Sequence, residues 1–251
     1  MAGNYYDTDR GISEYLLFHY GGYEHRLPAA LTDGLDFPVR CVRECLDTAR
    51  VPKSSRALDL GCAVGRSSFE LARVCSEVIG IDYSGRFVSV ANHLRDNGSF
   101  GFQYIVQGEI TRAHRAVVPM EIDRPRVKFE RGDAVHLRSG LGIFDVVLMA
   151  NLIDRVNDPA KCLAQLPGLL KPGGQLIITS PYTWLPEYTP RENWLGGFIY
   201  DDEPVDTFAA LERILSPNFE LKHRKDLPFI IREHTRKFQM GFAEASAWVR
   251  K

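Results

Sequence analysis

No apolar run in this sequence approaches the ~20 residues that a membrane-spanning helix needs, and no basic stretch followed by an apolar one marks its start. Neither a membrane-embedded enzyme nor a secretory leader is expected, and cytoplasmic residence follows by default. Net charge is nearly absent as well: 31 Lys and Arg face 32 Asp and Glu, a formal −1 at pH 7. Without excess positive charge there is no long-range pull toward a phosphate backbone or an anionic bilayer, so nucleic acid and membrane are not expected as partners and a small molecule is. The five cysteines are odd in number and contain no C-x-x-C pair, which argues against both a disulfide framework and a zinc site. Cys41 and Cys45, one helical turn apart, read as reduced thiols on a helix. Among the seven histidines, His25, His93, His114, His136 and His223 lie in polar surroundings without ligand spacing, so they read as surface residues and no metal is expected. The dinucleotide fingerprint G-x-G-x-x-G is missing too, because Ala63 and Arg66 stand where its second and third glycines would fall.

What is present is concentrated between Ala57 and Ala72, where the apolar strand Ala57-Leu-Asp-Leu60 meets an amphipathic helix through a turn bearing Gly61 and Gly65. Glycine lacks a Cβ, so such a turn lets a nucleotide-like ligand lie against the main chain. Its spacing, Asp-x-Gly-x-x-x-Gly from Asp59 to Gly65, resembles the first motif of class I S-adenosylmethionine methyltransferases. That resemblance implies a loop wrapped around the methionyl part of the cofactor, with Asp59 ordering it and Cys62 packed beside it. An open parallel sheet binds its ligand at the carboxyl ends of its strands, and polar residues stand where that rule wants them. Val78-Ile-Gly-Ile-Asp82 ends in a carboxylate about twenty residues past the turn, placed to accept both ribose hydroxyls, with Tyr83 and Ser84 bordering the adenosine. Phe129-Glu-Arg-Gly-Asp133-Ala134 repeats the pattern. The resemblance implies that Asp133 accepts from the adenine amino group, beside Ala134 and Val135. Phe144 to Asn151 reads as a fourth strand, and Leu170 to Pro181 as a helix end, a glycine turn and a fifth strand.

With 251 residues, 45% of them hydrophobic, the chain can bury one large core, and a single domain over 1–251 is expected. Its first 52 residues form a helical cap, with helices over Asp9–Gly21 and Phe37–Ala49. Tyr5, Tyr6, His19, Tyr20 and Tyr23 concentrate polar aromatics there, as a lid that excludes water from a ligand cleft would, a structural helix capping a sheet edge being the alternative. The core, 53–251, carries an insertion at about 98–128. Phe102–Val106 and Arg115–Pro119 within it suggest a hairpin, and Asp123-Arg-Pro-Arg126 a solvated turn. Pro181 to Trp194 holds three prolines and four aromatics, which suits a rigid pocket wall that includes Tyr182 and Trp184. Two extended segments, Phe219–Ile231 and Lys237–Lys251, flank the polar turn Arg232-Glu-His-Thr-Arg236. A guanidinium and a carboxylate there, Arg232 and Glu233, suit the carboxylate and ammonium of an amino acid, and an Arg-Glu pair that only stabilises the turn is the equal alternative.

Tyr5-Tyr6, Tyr15-Leu-Leu-Phe-His-Tyr-Gly21, the Ala57–Gly65 motif, Gly132-Asp-Ala134, Leu227-Pro-Phe-Ile-Ile-Arg-Glu-His234 and Arg236-Lys-Phe-Gln239 narrow the resemblance nearly end to end. Together they resemble the 4-mercaptohistidine N1-methyltransferase family, the methyltransferase domain of ovothiol biosynthesis, which occurs alone or behind an iron-dependent sulfoxide synthase. The resemblance implies a Rossmann-like α/β fold: a mostly parallel seven-stranded sheet with one antiparallel strand, helices on both faces and an N-terminal helical extension. It further implies S-adenosylmethionine as cofactor, S-adenosylhomocysteine as product, 5-thiohistidine as acceptor, and a separate or fused sulfoxide synthase as possible partner. The synthase's iron-binding histidine pattern is absent, so only the methyl-transfer half is expected. Asn151, at the strand end nearest the reacting methyl in this fold and expected to touch the cofactor as well, ranks first among groups that would orient the acceptor, the other candidates being Tyr20, His19, Tyr182 and Glu233. Arg155 reads as a surface ion pair. Two other readings stand beside this one: a methyltransferase of another small molecule, and a non-catalytic module that only binds the cofactor. Base methylation is disfavoured, since Asn151-Leu-Ile-Asp154 lacks the Pro-Pro-aromatic clamp used on a flipped base.

Overall fold

The computed structural model describes residues 5–21 and 32–251. Five strands are short and apolar: β1 (Arg56–Leu60), β2 (Glu77–Asp82), β5 (Val127–Arg131), β6 (Phe144–Ala150) and β7 (Leu170–Ser180). Runs such as Leu58–Leu60 and Val146–Met149 are buried on both sides, as strands covered by helices on two faces must be. Two further strands, β10 (Phe219–His234) and β11 (Lys237–Arg250), complete a seven-stranded sheet in the order β10-β11-β7-β6-β1-β2-β5. Only β11 runs against its neighbours. The expected sheet, with its single antiparallel strand, is therefore present.

Alternate side chains of the strands feed two cores. On one face Ala57, Leu148 and Ile177 pack with α1 (Asp9–Tyr20), α2 (Phe37–Arg43), α3 (Arg66–Leu71) and α4 (Gly85–Asn97) through Leu16, Phe37, Phe69 and Leu94. On the other, Leu58, Leu60, Val147 and Ile178 pack with α5 (Pro159–Ala164), α6 (Leu166–Leu169) and α7 (Thr207–Leu215) through Leu163, Leu166 and Leu211. Each fully buried Leu or Ile contributes roughly 1.5–3 kcal/mol, so the two-sided sheet is the main source of stability.

The insertion is a separate two-stranded sheet, β3 (Ser99–Gln107) and β4 (Ile110–Val117), as its composition suggested. It reaches α1, and so does the far end of β10: Thr235 Oγ1, in the turn after β10, donates to the Val106 carbonyl at 2.6 Å. The first helix is thus held between the inserted hairpin and the long β10–β11 arm.

Several boundaries differ from expectation. Helix α2 stops at Arg43, and only a 3-10 turn, Thr48–Arg50, follows, so no helix extends to Ala49. Leu170 to Ser180 is one irregular strand in place of a helix end and turn, since Gly173, at φ +78°, lets it kink where its register against β6 shifts. Strand β10 continues through His234, so Arg232 and Glu233 lie in a strand and the turn shrinks to Thr235 and Arg236. A small hairpin, β8 (Phe198–Tyr200) with β9 (Glu203–Val205), and α7 were not anticipated. Tyr23, expected among the lid aromatics, and His25, expected at the surface, lie outside the described residues.

Candidate active site

Strand order reverses between β1 and β6, and there an open parallel sheet leaves a crevice at its carboxyl edge. The turn after β1 fills that edge with backbone. Gly61, Ala63 and Gly65 all take left-handed angles, at φ +75°, +47° and +85°. A Cβ on Gly61 would come within 2.8 Å of Leu152 Cδ1, and one on Gly65 within 2.5 Å of Phe129 Cζ, so both positions demand glycine twice over. The amides of Gly61 and Cys62 both donate to the Ile81 carbonyl, at 2.8 and 3.1 Å, which fixes the turn against β2. Cys62 is fully buried, and burial pushes its thiol far above the ordinary range, in keeping with a packing role.

Asp59 is buried under this turn. Its Oδ2 accepts from Ser67 Oγ at 2.8 Å and Ser68 Oγ at 2.6 Å, binding β1 to the start of α3, while Oδ1 is buried without a partner. Burial pushes its carboxyl up to about 6, against the pull of the two serines. Asp82 joins two main-chain donors: Ala63 N reaches Oδ2 at 2.8 Å and Ser84 N reaches Oδ1 at 2.9 Å. Its carboxyl too is pushed up to about 6 by burial. Asp133 lies two residues past β5, where it accepts from Val135 N at 2.8 Å and meets His136 Nδ1 at 2.9 Å. Lys161 Nζ sits 2.6 Å from His136 Nε2, so the tautomer assigned from this network places the proton on Nδ1, toward Asp133. His136 is exposed as expected, yet it braces a site carboxylate. Ala134 is half-buried beside Asp133, while Tyr83 is 62% exposed, under the Arg131 guanidinium.

Asn151 directly follows β6, at φ +51°. Its amide donates to the Thr179 carbonyl at 2.9 Å, and Thr179 Oγ1 donates to its Oδ1 at 2.9 Å. With the side-chain oxygen held by β7, the amide nitrogen is what Asn151 offers a ligand.

The N-terminal segment closes over these strand ends. Tyr20 donates to the Val64 carbonyl within the glycine turn at 3.0 Å. Ser84 caps α4 and donates to Asp7 Oδ1 at 2.6 Å, and Arg86 pairs with Asp9. Tyr6, Tyr15 and Phe87 form one aromatic cluster, with centroids 5.7 Å apart for Tyr6–Tyr15 and 4.8 Å for Tyr15–Phe87, and Tyr188 joins it 5.7 Å from Tyr6. His19 packs against Tyr15. Burial pushes its imidazole down to about 3, the Arg66 cation adding to the effect, so it is neutral near pH 7.

The remaining substrate candidates divide. Tyr182, at φ +52°, donates to Glu244 Oε1 at 2.7 Å, which anchors the loop after β7 to β11. Trp184 is buried, donates to Thr207 Oγ1 at 3.0 Å and stacks on Trp194, a packing position in the loop. Arg232 is 5% exposed, lies over the Tyr104 ring of β3 at 4.9 Å and has Nε and Nη2 without partners. Glu233 accepts from Lys237 and Gln239, both at 2.7 Å, and lies 3.8 Å from Arg10. It lines a cavity of about 660 Å³ with Arg10, Glu14 and Leu17 of α1 and with Arg86 of α4. By the 3.6-residue period those three residues project from the side of α1 opposite Tyr15 and His19. Asn151, Tyr20 and His19 are thus gathered about the glycine turn, and Glu233 sits across the helix from them. Composition gave no sign of Phe87, and Arg155 read only as a surface ion pair, without its buried partner Asp154 just past β6. Their only signal was position, immediately after two of the strand ends.

Residues 58–178 match the family model described as a methyltransferase domain, just under half of the chain. Norajmaline N-methyltransferase from Rauvolfia serpentina is 25% identical over 181 residues, 69% of this chain and 54% of that protein. A ubiquinone biosynthesis O-methyltransferase from Aromatoleum aromaticum is 29% identical over 126 residues, 50% of this chain and 43% of its own. The chain spans about half or less of the length of these relatives. Among solved structures, magnesium protoporphyrin IX methyltransferase from Synechocystis PCC 6803 with bound S-adenosylhomocysteine superposes with TM-score 0.59 at 16% identity, covering 98% of this chain and 97% of that one. The N-methyltransferase NodS from Bradyrhizobium japonicum WM9, also in complex with S-adenosylhomocysteine, gives 0.55 at 14%, covering 97% and 98%.

The fold is the Rossmann-like fold of class I methyltransferases, and residues 58–178 within it match the methyltransferase-domain model. S-adenosylmethionine is its cofactor. The residues fit that group: the unpartnered Asp59 Oδ1 suits an ammonium, Asp82 ends β2, and Asp133 lies just past the adjacent β5.

Proposed function

We propose that this chain transfers a methyl group to an imidazole nitrogen of 5-thiohistidine, also called 4-mercaptohistidine, as in ovothiol biosynthesis. The observation that carries the reading is the contact between Tyr20, in the distinctive Tyr15–Gly21 segment, and Val64 of the cofactor turn, which seats that segment on the site. The relative that acts on norajmaline is, by its name, an N-methyltransferase, which supports nitrogen as the acceptor atom.

The cofactor supplies an electrophilic methyl: the ring nitrogen's lone pair forms the new C–N bond as the C–S bond breaks, and S-adenosylhomocysteine leaves. Neutral imidazole already carries the lone pair, and the adjacent thiolate offsets the positive charge arriving on the ring. Alignment therefore matters more than a strong base, and it can lower such a barrier by roughly 7–11 kcal/mol. Asn151 serves here as a donor, because Thr179 holds its oxygen and leaves the amide nitrogen to orient the ring. Neutral His19 adds an aromatic wall that does not compete for the negative charge of the substrate thiolate. Tyr6, Tyr15 and Phe87 exclude water above the ring. Arg232 and Glu233 act on the acceptor by fixing the helix that bears His19 and Tyr20.

Incubation with S-adenosylmethionine and 5-thiohistidine, followed by mass spectrometry, should give a product heavier by one methyl on nitrogen. Turnover only of other small acceptors would replace this substrate. Tight S-adenosylhomocysteine binding without turnover of any acceptor would make the chain a binding module.

A further inference from the structure

Past Asn151 the chain makes a 3-10 turn, Ile153–Arg155, in which Asp154 is fully buried while the Arg155 side chain keeps 24% exposure. Asp154 Oδ2 accepts the Thr183 amide at 3.0 Å and Arg155 Nη1 at 2.9 Å. The same Nη1 donates to the carbonyls of Asp154 at 2.8 Å and Thr183 at 2.7 Å. These bonds to turn and loop all leave one nitrogen of the guanidinium. Its carbon lies 5.1 Å from the centroid of the Tyr188 ring, the Tyr6 hydroxyl is within bonding reach, and Tyr15 interacts both with Arg155 and with Asp82. Arg155 therefore stands between the end of β6 and the tyrosines Tyr6, Tyr15 and Tyr188.

A planar fork anchored through Nη1 against a buried carboxylate is fixed in direction, and its remaining N–H groups, now met by the Tyr6 hydroxyl, match a carboxylate that displaces that hydroxyl in two-pronged fashion. Flat tyrosine rings beside it suit a heteroaromatic ring. We infer that Arg155 binds the α-carboxylate of the acceptor and thereby restricts the site to an amino acid. This assignment rests on the proposed acceptor being an imidazole amino acid. Asp154 is then a positioning residue that acts through Arg155.

Calorimetry on the S-adenosylhomocysteine-loaded protein tests it, with 5-thiohistidine and its decarboxylated analogue, thiohistamine, as paired ligands. Wild type should hold the carboxylate-bearing compound about 10- to 100-fold more tightly, the range expected of hydrogen bonds between charged groups. Arg155→Lys, which keeps a cation beside Asp154, should bring the two within about threefold of each other and leave S-adenosylhomocysteine affinity unchanged, since only the bidentate contact is lost. Equal binding of both compounds by wild type, or an undiminished preference in Arg155→Lys, overturns the assignment while leaving the acceptor reading intact. Loss of S-adenosylhomocysteine affinity in that variant also overturns it, because Arg155 would then serve the fold. Wild type that binds neither compound overturns the acceptor reading itself.

Discussion

Asp82 couples the chemistry of the site to pH. Burial raises its carboxyl to about 6, so in the free protein it is protonated on the acid side of that value. If Asp82 holds the ribose as proposed, only its ionised form has acceptors for both hydroxyls as well as the amides of Ala63 and Ser84. The affinity for S-adenosylhomocysteine should therefore fall by up to about tenfold per unit as pH drops below 6, and be flat above 7. A titration by calorimetry reads this, and Asp82→Asn should bind weakly at every pH with a shallower slope, the remainder coming from Asp59, whose carboxyl burial also raises to about 6. Gly65 is a second single-residue determinant. At φ +85°, with Phe129 Cζ 2.5 Å from where a Cβ would stand, Gly65→Ala combines a left-handed backbone cost of roughly 1–2 kcal/mol with a ring displacement. A lowered melting temperature and at least tenfold weaker S-adenosylhomocysteine binding are expected. Unchanged binding would place the cofactor away from this turn.

Helix α1 belongs to the site only because other elements hold it there. The inserted β3–β4 hairpin packs on it from one side, and the β10–β11 arm reaches the hairpin through Thr235 and the Val106 carbonyl. Tyr20 then ties the helix end to the cofactor turn. Tyr20→Phe removes that bond with little change of shape and should cost about 1 kcal/mol, read by denaturant unfolding. Its kinetic signature should be a higher KM for the acceptor and a smaller change for the cofactor. Loss of cofactor affinity alone would show that the helix serves the turn rather than the acceptor.

Across the whole molecule the two cores have separate duties. The face covered by α1 to α4 adjoins the glycine turn, whereas the opposite face is closed by α5 to α7 and by Trp248 of β11, stacked on Phe208 at 6.2 Å. Trp248→Ala should destabilise the fold by about 3–5 kcal/mol, because a fully buried ring leaves a cavity. At a temperature where the variant remains folded, its S-adenosylhomocysteine affinity should match wild type. No helix among the described residues is long and apolar enough to cross a membrane.

Local pattern was enough for the strands β1, β2, β5 and β6 and the glycine turn, because apolar runs, a glycine pair and terminal carboxylates are properties of contiguous residues. The inserted hairpin and helix α1 were legible for the same reason, whereas the sheet with one antiparallel strand came from the family resemblance. Register and contact were not. That β10 runs on through Arg232 and Glu233 depends on the pairing of Arg232 with Phe238, and that Glu233 meets Arg10 depends on where α1 is held. Arg155 looked like a surface cation because its partner is the adjacent Asp154. Its place beneath Tyr188 arises from a loop more than thirty residues away in sequence. The sequence by itself determined the fold class and the cofactor turn, since both follow from periodicity and backbone freedom within a few residues. Which side chains face an acceptor was decided only by the tertiary structure, because burial and ion pairing depend on elements that the chain brings together from far apart.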